Sequence, residues 1–153
     1  MIPYFRTSVA QDVSRLAPLI RDTDVEEVKA QCGLNIHNAL LMSYESSKVC
    51  NSIMNTKGDI LGMFGITETP DPLVATPWML CTDSLNEISR IFLRQSKSWI
   101  VTLNTLYPIL MNYVDERNQK AIHWLRYLGF TFIQKIERYG VGKKPFYEFV
   151  RIS

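Results

Sequence analysis

The hydrophobic pattern of this chain changes its period several times between the spacing of helices and the alternation of strands. The opening IPYFRTSV is a short strand candidate, and helical spacing follows over three segments between Asp12 and Ser46. The run KVCNSIMNTKGDILGMFGITE then alternates on both sides of Lys57-Gly58-Asp59, which predicts a β-hairpin with its turn at these residues. The chain is therefore expected to combine helices and strands in one fold.

The second half repeats this exchange of strand and helix. After the loop TPDPLVATP we expect the strand PWMLCT, a long helix carrying Leu85, Phe92 and Leu103 on one face, the strand ILMNYV, a further helix, and a closing hairpin of TFIQKIERY and PFYEFVRI. Strands interleaved with helices are typical of a mixed sheet with helices on its faces. A length of 153 residues suits a single domain over 1–153.

Residues with capping chemistry mark the predicted helix ends. Thr23 with Glu26, and Asp24 with Glu27, both fit a capping box, as does Ser84 with Glu87. Asn118 is expected to cap the last helix. Gly33 and Gly129 are placed to end two helices.

Charge and composition exclude several classes of function. The formal net charge is only +2 and the basic residues are scattered, which argues against nucleic-acid binding. No apolar run is long enough to span a bilayer, and the N-terminus lacks the pattern of a signal peptide, so synthesis inside the cell is expected. Three separated cysteines and two isolated histidines predict no metal site and no disulfide framework, with mostly buried, reduced thiols; they are Cys32, Cys50, Cys81, His37 and His123.

The segment NQKAIHWLRYLGF resembles the last conserved motif of the GNAT N-acyltransferases. The matching residues are Asn118, Ala121, Ile122, Leu128, Gly129 and Phe130. The order of the elements is similar as well. The resemblance implies an α/β (α+β) GNAT-like fold, with a mixed, mostly antiparallel twisted sheet of about six to seven strands and helices on both faces.

A second resemblance covers about the last half of the chain. WMLCTDSL, YPILMNYVDERN and IHWLRYLGFTF are similar to a small family of internal virion or morphogenesis proteins of short-tailed bacteriophages. It implies a phage origin, with other phage or host proteins as partners.

The junction that would bind the diphosphate of acetyl-CoA departs from the GNAT pattern. In that family glycines after the central strand let main-chain N–H groups approach the diphosphate, aided by the following helix N-terminus. Here the junction runs from Cys81 to Glu87, contains no glycine, and carries Asp83 and Glu87, whose charge would repel a diphosphate. The residues left as cofactor-binding candidates are Leu80, Cys81, Thr82 and Asn118.

The catalytic residues that the resemblance implies are also incomplete. The tyrosine that protonates the departing thiolate in many GNAT enzymes falls at Leu125, and Tyr127 lies about 200° around the predicted helix from its position. A water molecule, Tyr107 or Tyr113 could take that role, while Glu68 lies near the place of the family's proton-accepting carboxylate. A packing or surface role is the alternative for Tyr127, and a solvated strand-end charge for Glu68.

Two functions therefore stay open at this point. The first is a virion-associated or assembly protein of a bacteriophage, without a cofactor, located in the cytoplasm of the infected host cell or in the virion. The second is an active acyl-CoA-dependent N-acetyltransferase that modifies a protein or a small amine, with the strands PWMLCT and ILMNYV holding the pantetheine arm of acetyl-CoA. Fold alone does not decide between them, because function depends on the site.

Overall fold

The computed structural model describes residues 3–87 and 90–153, leaving out the side chains of residues 86 and 87. Its strands are β1 (Tyr4–Thr7), β2 (Val49–Met54), β3 (Ile60–Glu68), β4 (Val74–Cys81), β5 (Ile109–Asp115), β6 (Thr131–Tyr139) and β7 (Lys144–Ile152). Its α-helices are α1 (Ala10–Leu16), α2 (Asp22–Cys32), α3 (Ile36–Ser46), α4 (Arg90–Leu106) and α5 (Gln119–Tyr127). Two short 3₁₀ helices cover Ala17–Leu19 and Asp83–Glu87.

The strands form one seven-stranded sheet in the order β1-β2-β3-β4-β5-β7-β6. Every neighbouring pair is antiparallel except β4 and β5, which run parallel. The two strands that meet in parallel are therefore at the centre of the sheet. This confirms the predicted mixed, mostly antiparallel sheet.

Helices cover both faces of the sheet. Neighbouring residues of a strand point to opposite sides, so a single strand contacts helices on both faces. On β2, Met54 packs with residues of α1 and α3, including Leu16 and Leu40. Its neighbour Ile53 packs on the other face with Phe92 of α4. α5 also lies on this second face, where Ile122 is buried together with residues of β5 and β7. The sheet thus separates α1–α3 from α4 and α5.

Several helix ends and turns are confirmed. Asn118 is the N-cap of α5, as predicted, and Asn35 is found to be the N-cap of α3. Each accepts a hydrogen bond from a main-chain N–H three residues on. Gly33 ends α2 with a φ of 73°, in the left-handed region where glycine is preferred. The predicted hairpin is formed by β2 and β3.

Three predictions about local structure are wrong. α2 begins at Asp22 with Arg21 as its N-cap and no side-chain cap, so neither Thr23 nor Asp24 caps this helix. β4 already begins at Val74, within the segment predicted as a loop, because Val74 and Ala75 pair with β5. Cys81 is buried, but Cys50 is only partly buried and Cys32 is exposed, so the thiols are not mostly buried.

The start of the long helix also differs from the expectation. A 3₁₀ helix occupies Asp83–Glu87, and α4 begins only at Arg90 within the described residues. The capping box of Ser84 with Glu87 lies outside the described residues, because it depends on the Glu87 side chain. No helix within 3–87 and 90–153 has both the length and the apolar character needed to cross a bilayer.

Candidate functional site

The centre of the sheet contains a gap between β4 and β5. These strands pair at only two positions, Val74 with Ile109 and Ala75 with Leu110. Each strand then continues along its other neighbour, β4 on β3 as far as Cys81 and β5 on β7 as far as Asp115. The gap therefore opens toward the carboxyl ends of the two strands.

A cavity of about 620 Å³ fills this gap and extends to both faces of the sheet. On one face it is lined by side chains of α2 and α3, among them Glu27 and Met42. On the other face it is lined by α4 and α5, among them Ser96 and Trp124. A cavity of this size is typical of small-molecule sites, and here its lining comes from both faces of the sheet.

On the edge of β4 that faces the cavity, one residue has a main-chain N–H and carbonyl available to a ligand. The N–H of Thr82 donates to the carbonyl of Leu61 on β3 at 2.9 Å, so the even-numbered residues of β4 bond to β3 and the odd-numbered ones face the gap. Pro77 has no N–H, and its carbonyl accepts a hydrogen bond of 2.8 Å from the Asn112 side chain. The next odd-numbered residue is Met79, whose N–H and carbonyl both point into the gap. No contact across the gap is found for either group within the described part of the chain.

The start of α2 closes the open end of the gap. The N–H of Arg21 donates to the carbonyl of Cys81 at 2.9 Å, and the N–H of Cys81 donates to the Asp24 carboxylate at 3.1 Å. Asp24 also accepts a hydrogen bond of 2.9 Å from the Asn118 side chain, at the turn after β5. One buried carboxylate thus joins the carboxyl ends of both central strands.

Glu27 makes a second connection one helical turn further along α2. Its carboxylate accepts a hydrogen bond of 2.8 Å from the N–H of Asp115, the last residue of β5. Burial raises the pKa of Glu27 to about 8, and the nearby charge of Asp24 acts in the same direction. The hydrogen bond from Asp115 opposes this shift. Glu27 therefore exchanges a proton near neutral pH while it lines the cavity.

The other charged groups at this end are already paired. The Arg21 guanidinium is 3.0 Å from Asp24, and both side chains are buried. Arg117 forms a 2.7 Å ion pair with Asp115. Burial raises the pKa of the Cys81 thiol, and the Asp24 charge raises it further, so this thiol stays protonated. A thiolate nucleophile at Cys81 is therefore not expected.

One face of α5 forms the opposite wall of the cavity. The residues of this helix that line the cavity recur at spacings of three and four; they are Asn118, Ala121, Trp124, Leu125 and Leu128. Leu125 stands where the GNAT resemblance implies a tyrosine, so that wall lacks the expected hydroxyl. The indole Nε1 of Trp124 is buried, and no acceptor for it exists among the described residues.

The predicted catalytic candidates lie in three different places. Tyr107 donates a hydrogen bond of 2.8 Å to Glu68, near the closed end of the gap where β4 and β5 pair. Tyr113 lines the cavity, and its hydroxyl donates to Glu148 at 3.2 Å. Tyr127 is 40% exposed, and the Lys97 ammonium lies 5.5 Å from its ring centre.

The predicted cofactor-binding candidates are all buried at the carboxyl ends of β4 and β5. Leu80 and Asn118 line the cavity, whereas Cys81 is turned toward Asp24. The Thr82 hydroxyl is buried, and no described residue bonds to it. In the junction that follows, the Leu85 N–H donates to the Thr82 carbonyl, and Asp83 is exposed. The described residues also contain no cluster of three His, Cys, Asp or Glu side chains that could hold a metal ion.

The residues that the sequence did not point to are Arg21, Asp24, Glu27 and Trp124. Asp24 and Glu27 fitted a capping box in the sequence, and this local interpretation left no reason to expect either carboxylate in the site. Their contacts to Cys81 and Asp115 join positions 57 and 88 residues apart, and no short motif records such a distance. Trp124 lies between two residues of the GNAT-like motif, and in the sequence it can be interpreted as a core aromatic side chain or as one exposed at an interface.

This arrangement, with a parallel central pair that diverges inside an otherwise antiparallel sheet and helices on both faces, is the fold of the GNAT acetyltransferases. Solved structures of that family superpose on nearly the whole chain. Spermidine N-acetyltransferase from Vibrio cholerae in complex with CoA and spermine matches with a TM-score of 0.71 and 10% identity, over 98% of this chain and 95% of that one. A GCN5-related N-acetyltransferase from Kribbella flavida matches with a TM-score of 0.70 and 16% identity, over 99% and 98%.

A third structure, a GNAT-family acetyltransferase from Bacillus anthracis, matches with a TM-score of 0.69 and 8% identity, over 99% of this chain and 95% of that one. No protein-family model and no curated protein matches the sequence. At these identities the likeness concerns the fold, and the function has to be argued from the site.

Proposed function

We propose that the protein is an acyl-CoA-dependent N-acyltransferase. The observation that carries this proposal is the Met79 peptide unit, which faces a cavity of about 620 Å³ between two diverging parallel strands. A main-chain N–H and carbonyl in that position can pair with the amide groups of an extended pantetheine arm as a further strand would. The walls on the side of α4 and α5 are largely apolar, which suits the alkyl segments of the same arm.

The two ends of acetyl-CoA fit the chain differently. The gap, Met79 and the unpaired indole N–H of Trp124 suit the pantetheine end. The junction after β4 does not suit the diphosphate, since it has no glycine and carries an exposed Asp83. We therefore infer that the nucleotide end is held weakly and that the pantetheine end supplies most of the affinity.

The residues around the cavity provide a route for the chemistry. Acetyl-CoA supplies an activated thioester to an attacking amine. The ionised fraction of Glu27 accepts the proton that the amine must lose. A pKa of about 8 leaves a minority of these carboxyl groups ionised at neutral pH and makes each of them a stronger base than an ordinary carboxylate. As the amine nitrogen bonds to the thioester carbon, the C–S bond breaks and CoA leaves as a thiolate. Tyr113, which lines the cavity, would give this thiolate its proton in place of the tyrosine missing at Leu125.

An amine acceptor agrees with the charges around the cavity. Glu27 lines it on the α2 side and Glu68 lines it at the end of β3, while the lining Arg21 is neutralised by Asp24. The matched Vibrio cholerae enzyme is named for acetylation of spermidine, a polyamine. We propose a small cationic amine or a protein amino group as the acceptor here.

The experiment that tests this proposal is calorimetry with acetyl-CoA on three proteins. Met79→Pro removes the N–H that faces the gap and leaves the bonds to β3 in place, since Pro77 already occupies the same edge. Met79→Leu keeps the N–H and a side chain of similar volume. We expect wild type and Met79→Leu to bind alike, and Met79→Pro to bind at least about ten-fold more weakly.

Failure of wild type to bind acetyl-CoA at millimolar concentration would contradict the proposal. Equal binding by all three proteins would show that the Met79 N–H on β4 does not contribute to acetyl-CoA binding. Thermal unfolding of each variant shows whether Met79→Pro still folds, so a lost fold is not mistaken for a lost contact.

A second candidate function is favoured by the closure of the gap by α2. Arg21 and Asp24 occupy both main-chain groups of Cys81, which are then not free for a ligand. Together with the glycine-free junction and the resemblance to phage proteins, this supports a catalytically silent virion or assembly module of a bacteriophage. Its partners would be other phage or host proteins, and its location the infected cell or the virion. A stoichiometric amount of the protein in purified particles, with no acetyl-CoA binding, is the result this candidate requires.

A further inference from the structure

Trp124 has a buried hydrogen-bond donor with no partner among the described residues. Its indole Nε1 is shielded from solvent, and within residues 3–87 and 90–153 nothing accepts its hydrogen. Buried tryptophans usually find a partner for this N–H, and a buried unpaired donor in a native protein calls for an explanation.

The side chains around Trp124 are mostly apolar and do not offer a hydrogen-bond acceptor among the described residues. Trp124 packs against both apolar clusters on the α4–α5 face, one containing Phe92 and the other Ile100. At the same time it lines the cavity between β4 and β5. This cavity is the space that the proposed function assigns to the pantetheine arm.

The geometry of α5 supports a contact with a ligand. Ala121 lies one turn before Trp124 on the cavity-lining face, and Leu125 follows it. Leu125 cannot donate a hydrogen bond, so the indole is the donor that this part of the wall provides. Asn118, at the start of the helix, already gives its amide hydrogens to Asp24 and Glu27.

We infer that the indole N–H of Trp124 binds a carbonyl oxygen of the acyl-pantetheine arm, either of its amide groups or of the thioester. This assignment rests on the proposed function, because it requires acyl-CoA to enter the cavity. It adds a specific donor on α5 opposite the main-chain donor of Met79 on β4. A carbonyl held from α5 would fix the depth to which the arm enters.

The test uses the indole ¹H–¹⁵N resonances of the full-length protein labelled at tryptophan. Trp124→Phe assigns the signal of Trp124. Trp78 also lines the cavity, but its indole N–H already donates to Ser47 at 2.7 Å, so its signal reports a nearby ligand without a new hydrogen bond. Two probes are compared, acetyl-CoA and adenosine 3′,5′-bisphosphate, which lacks the pantetheine arm. We expect the Trp124 signal to move downfield with acetyl-CoA and to stay in place with the bisphosphate.

Calorimetry provides a second readout. Trp124→Phe keeps an aromatic ring and removes the donor, so its affinity for acetyl-CoA should fall about 3- to 10-fold. If acetyl-CoA binds wild type, yet the Trp124 signal moves no more than that of Trp78 and Trp124→Phe binds equally well, the assignment is overturned and the proposed function stands. If wild type binds no acetyl-CoA, the proposed function fails and the assignment falls with it.

Discussion

The side chain of Asn118 donates a hydrogen bond of 2.9 Å to the carboxylate of Asp24, and both residues are buried. The same Asn118 accepts from the N–H of Ala121 and so caps α5. The same Asp24 accepts from the N–H of Cys81 and pairs with Arg21. One contact therefore joins the start of α2, the end of β4 and the start of α5 at the open end of the gap.

Replacing Asn118 should cost more than the loss of a helix cap. Asn118→Ala removes the cap and also leaves the buried Asp24 carboxylate short of a donor. We expect the free energy of unfolding to fall by about 2 to 4 kcal/mol, measured by urea denaturation at pH 7.

Asn35→Ala is the matched control. Asn35 caps α3 through a 2.9 Å hydrogen bond from the N–H of Asn38, but it is exposed and has no buried partner. Its loss should cost only about 0.5 to 1 kcal/mol. Equal losses for the two variants would mean that the bond to Asp24 contributes nothing to stability.

The secondary structure could be predicted because its signals are local. The cap at Asn118, the stop at Gly33 and the alternation around the turn of β2 and β3 each depend on residues within a few positions of one another. The resemblance of residues 118–130 then placed these elements in one known fold. The start of α4 was missed because Asp83–Glu87 form a 3₁₀ helix, which the apolar spacing of Leu85 and Phe92 does not distinguish from an α-helix.

The sequence singled out part of the cavity lining. Asn118 and Leu125 of the motif line the cavity, as do the candidates Leu80, Glu68 and Tyr113. Asp24 and Glu27 were assigned to a capping box, because in the sequence a carboxylate near a helix start has no other visible partner. Their actual partners, Cys81 and Asp115, become neighbours only when the chain folds. The unpaired N–H of Trp124 depends on packing that no pattern of residues encodes.

The raised pKa of Glu27 predicts that stability decreases as the pH rises. The folded protein keeps the Glu27 proton up to about pH 8, whereas the unfolded chain loses it near the ordinary value of 4.5. The contribution of this proton to stability is therefore complete below pH 4.5 and is lost as the pH rises through 8. Between pH 5 and pH 9 the free energy of unfolding of wild type should decrease. Glu27→Gln should make this decrease smaller by about 2 to 4 kcal/mol, measured by urea denaturation at both pH values.

Glu26 provides the control for this measurement. It precedes Glu27 on α2 and is exposed. Glu26→Gln should keep the pH dependence of wild type. A wild-type protein as stable at pH 9 as Glu27→Gln, relative to pH 5, would show that Glu27 is ionised over the whole range.

Asp12 predicts the opposite dependence at acid pH. Burial alone would raise its pKa, but hydrogen bonds from Arg6, the N–H of Val9 and the Ser52 hydroxyl outweigh burial and lower the pKa to about 2. Because the unfolded value is near 3.8, this stabilisation is complete above pH 3.8 and is lost as the pH falls through 2.

Asp12→Asn should therefore destabilise the protein by about 2 to 3 kcal/mol at pH 7 and by much less at pH 2. Asp22→Asn, at an exposed position in the first turn of α2, should cost under about 1 kcal/mol. Urea denaturation at both pH values separates the two cases. An Asp12→Asn effect that is the same at pH 7 and pH 2 would exclude the ionised carboxylate as its source.

Replacing Gly140 tests whether the turn between β6 and β7 holds α2 in its position over the gap. The turn between β6 and β7 rests on the end of α2, where the N–H groups of Val141 and Gly142 donate to the carbonyls of Gln31 and Ala30. Gly140 has a φ of 72°, and a Cβ there would lie 2.6 Å from the carbonyl oxygen of Ala30. Gly140→Ala must therefore strain its own backbone and push the turn away from α2.

Gly58→Ala isolates the first of these two effects. Gly58 has a φ of 85° in the turn between β2 and β3, but a Cβ there would meet no atom within 4 Å. We expect Gly58→Ala to cost about 1 to 2 kcal/mol from backbone strain alone, and Gly140→Ala to cost at least about 1 kcal/mol more, measured by urea denaturation. Amide hydrogen exchange should also be faster in α2 of Gly140→Ala, because the turn no longer holds the helix end. If the two variants lose equal stability and α2 exchanges as in wild type, the turn does not position α2, and the contacts of Asp24 and Glu27 alone would hold that helix at the gap.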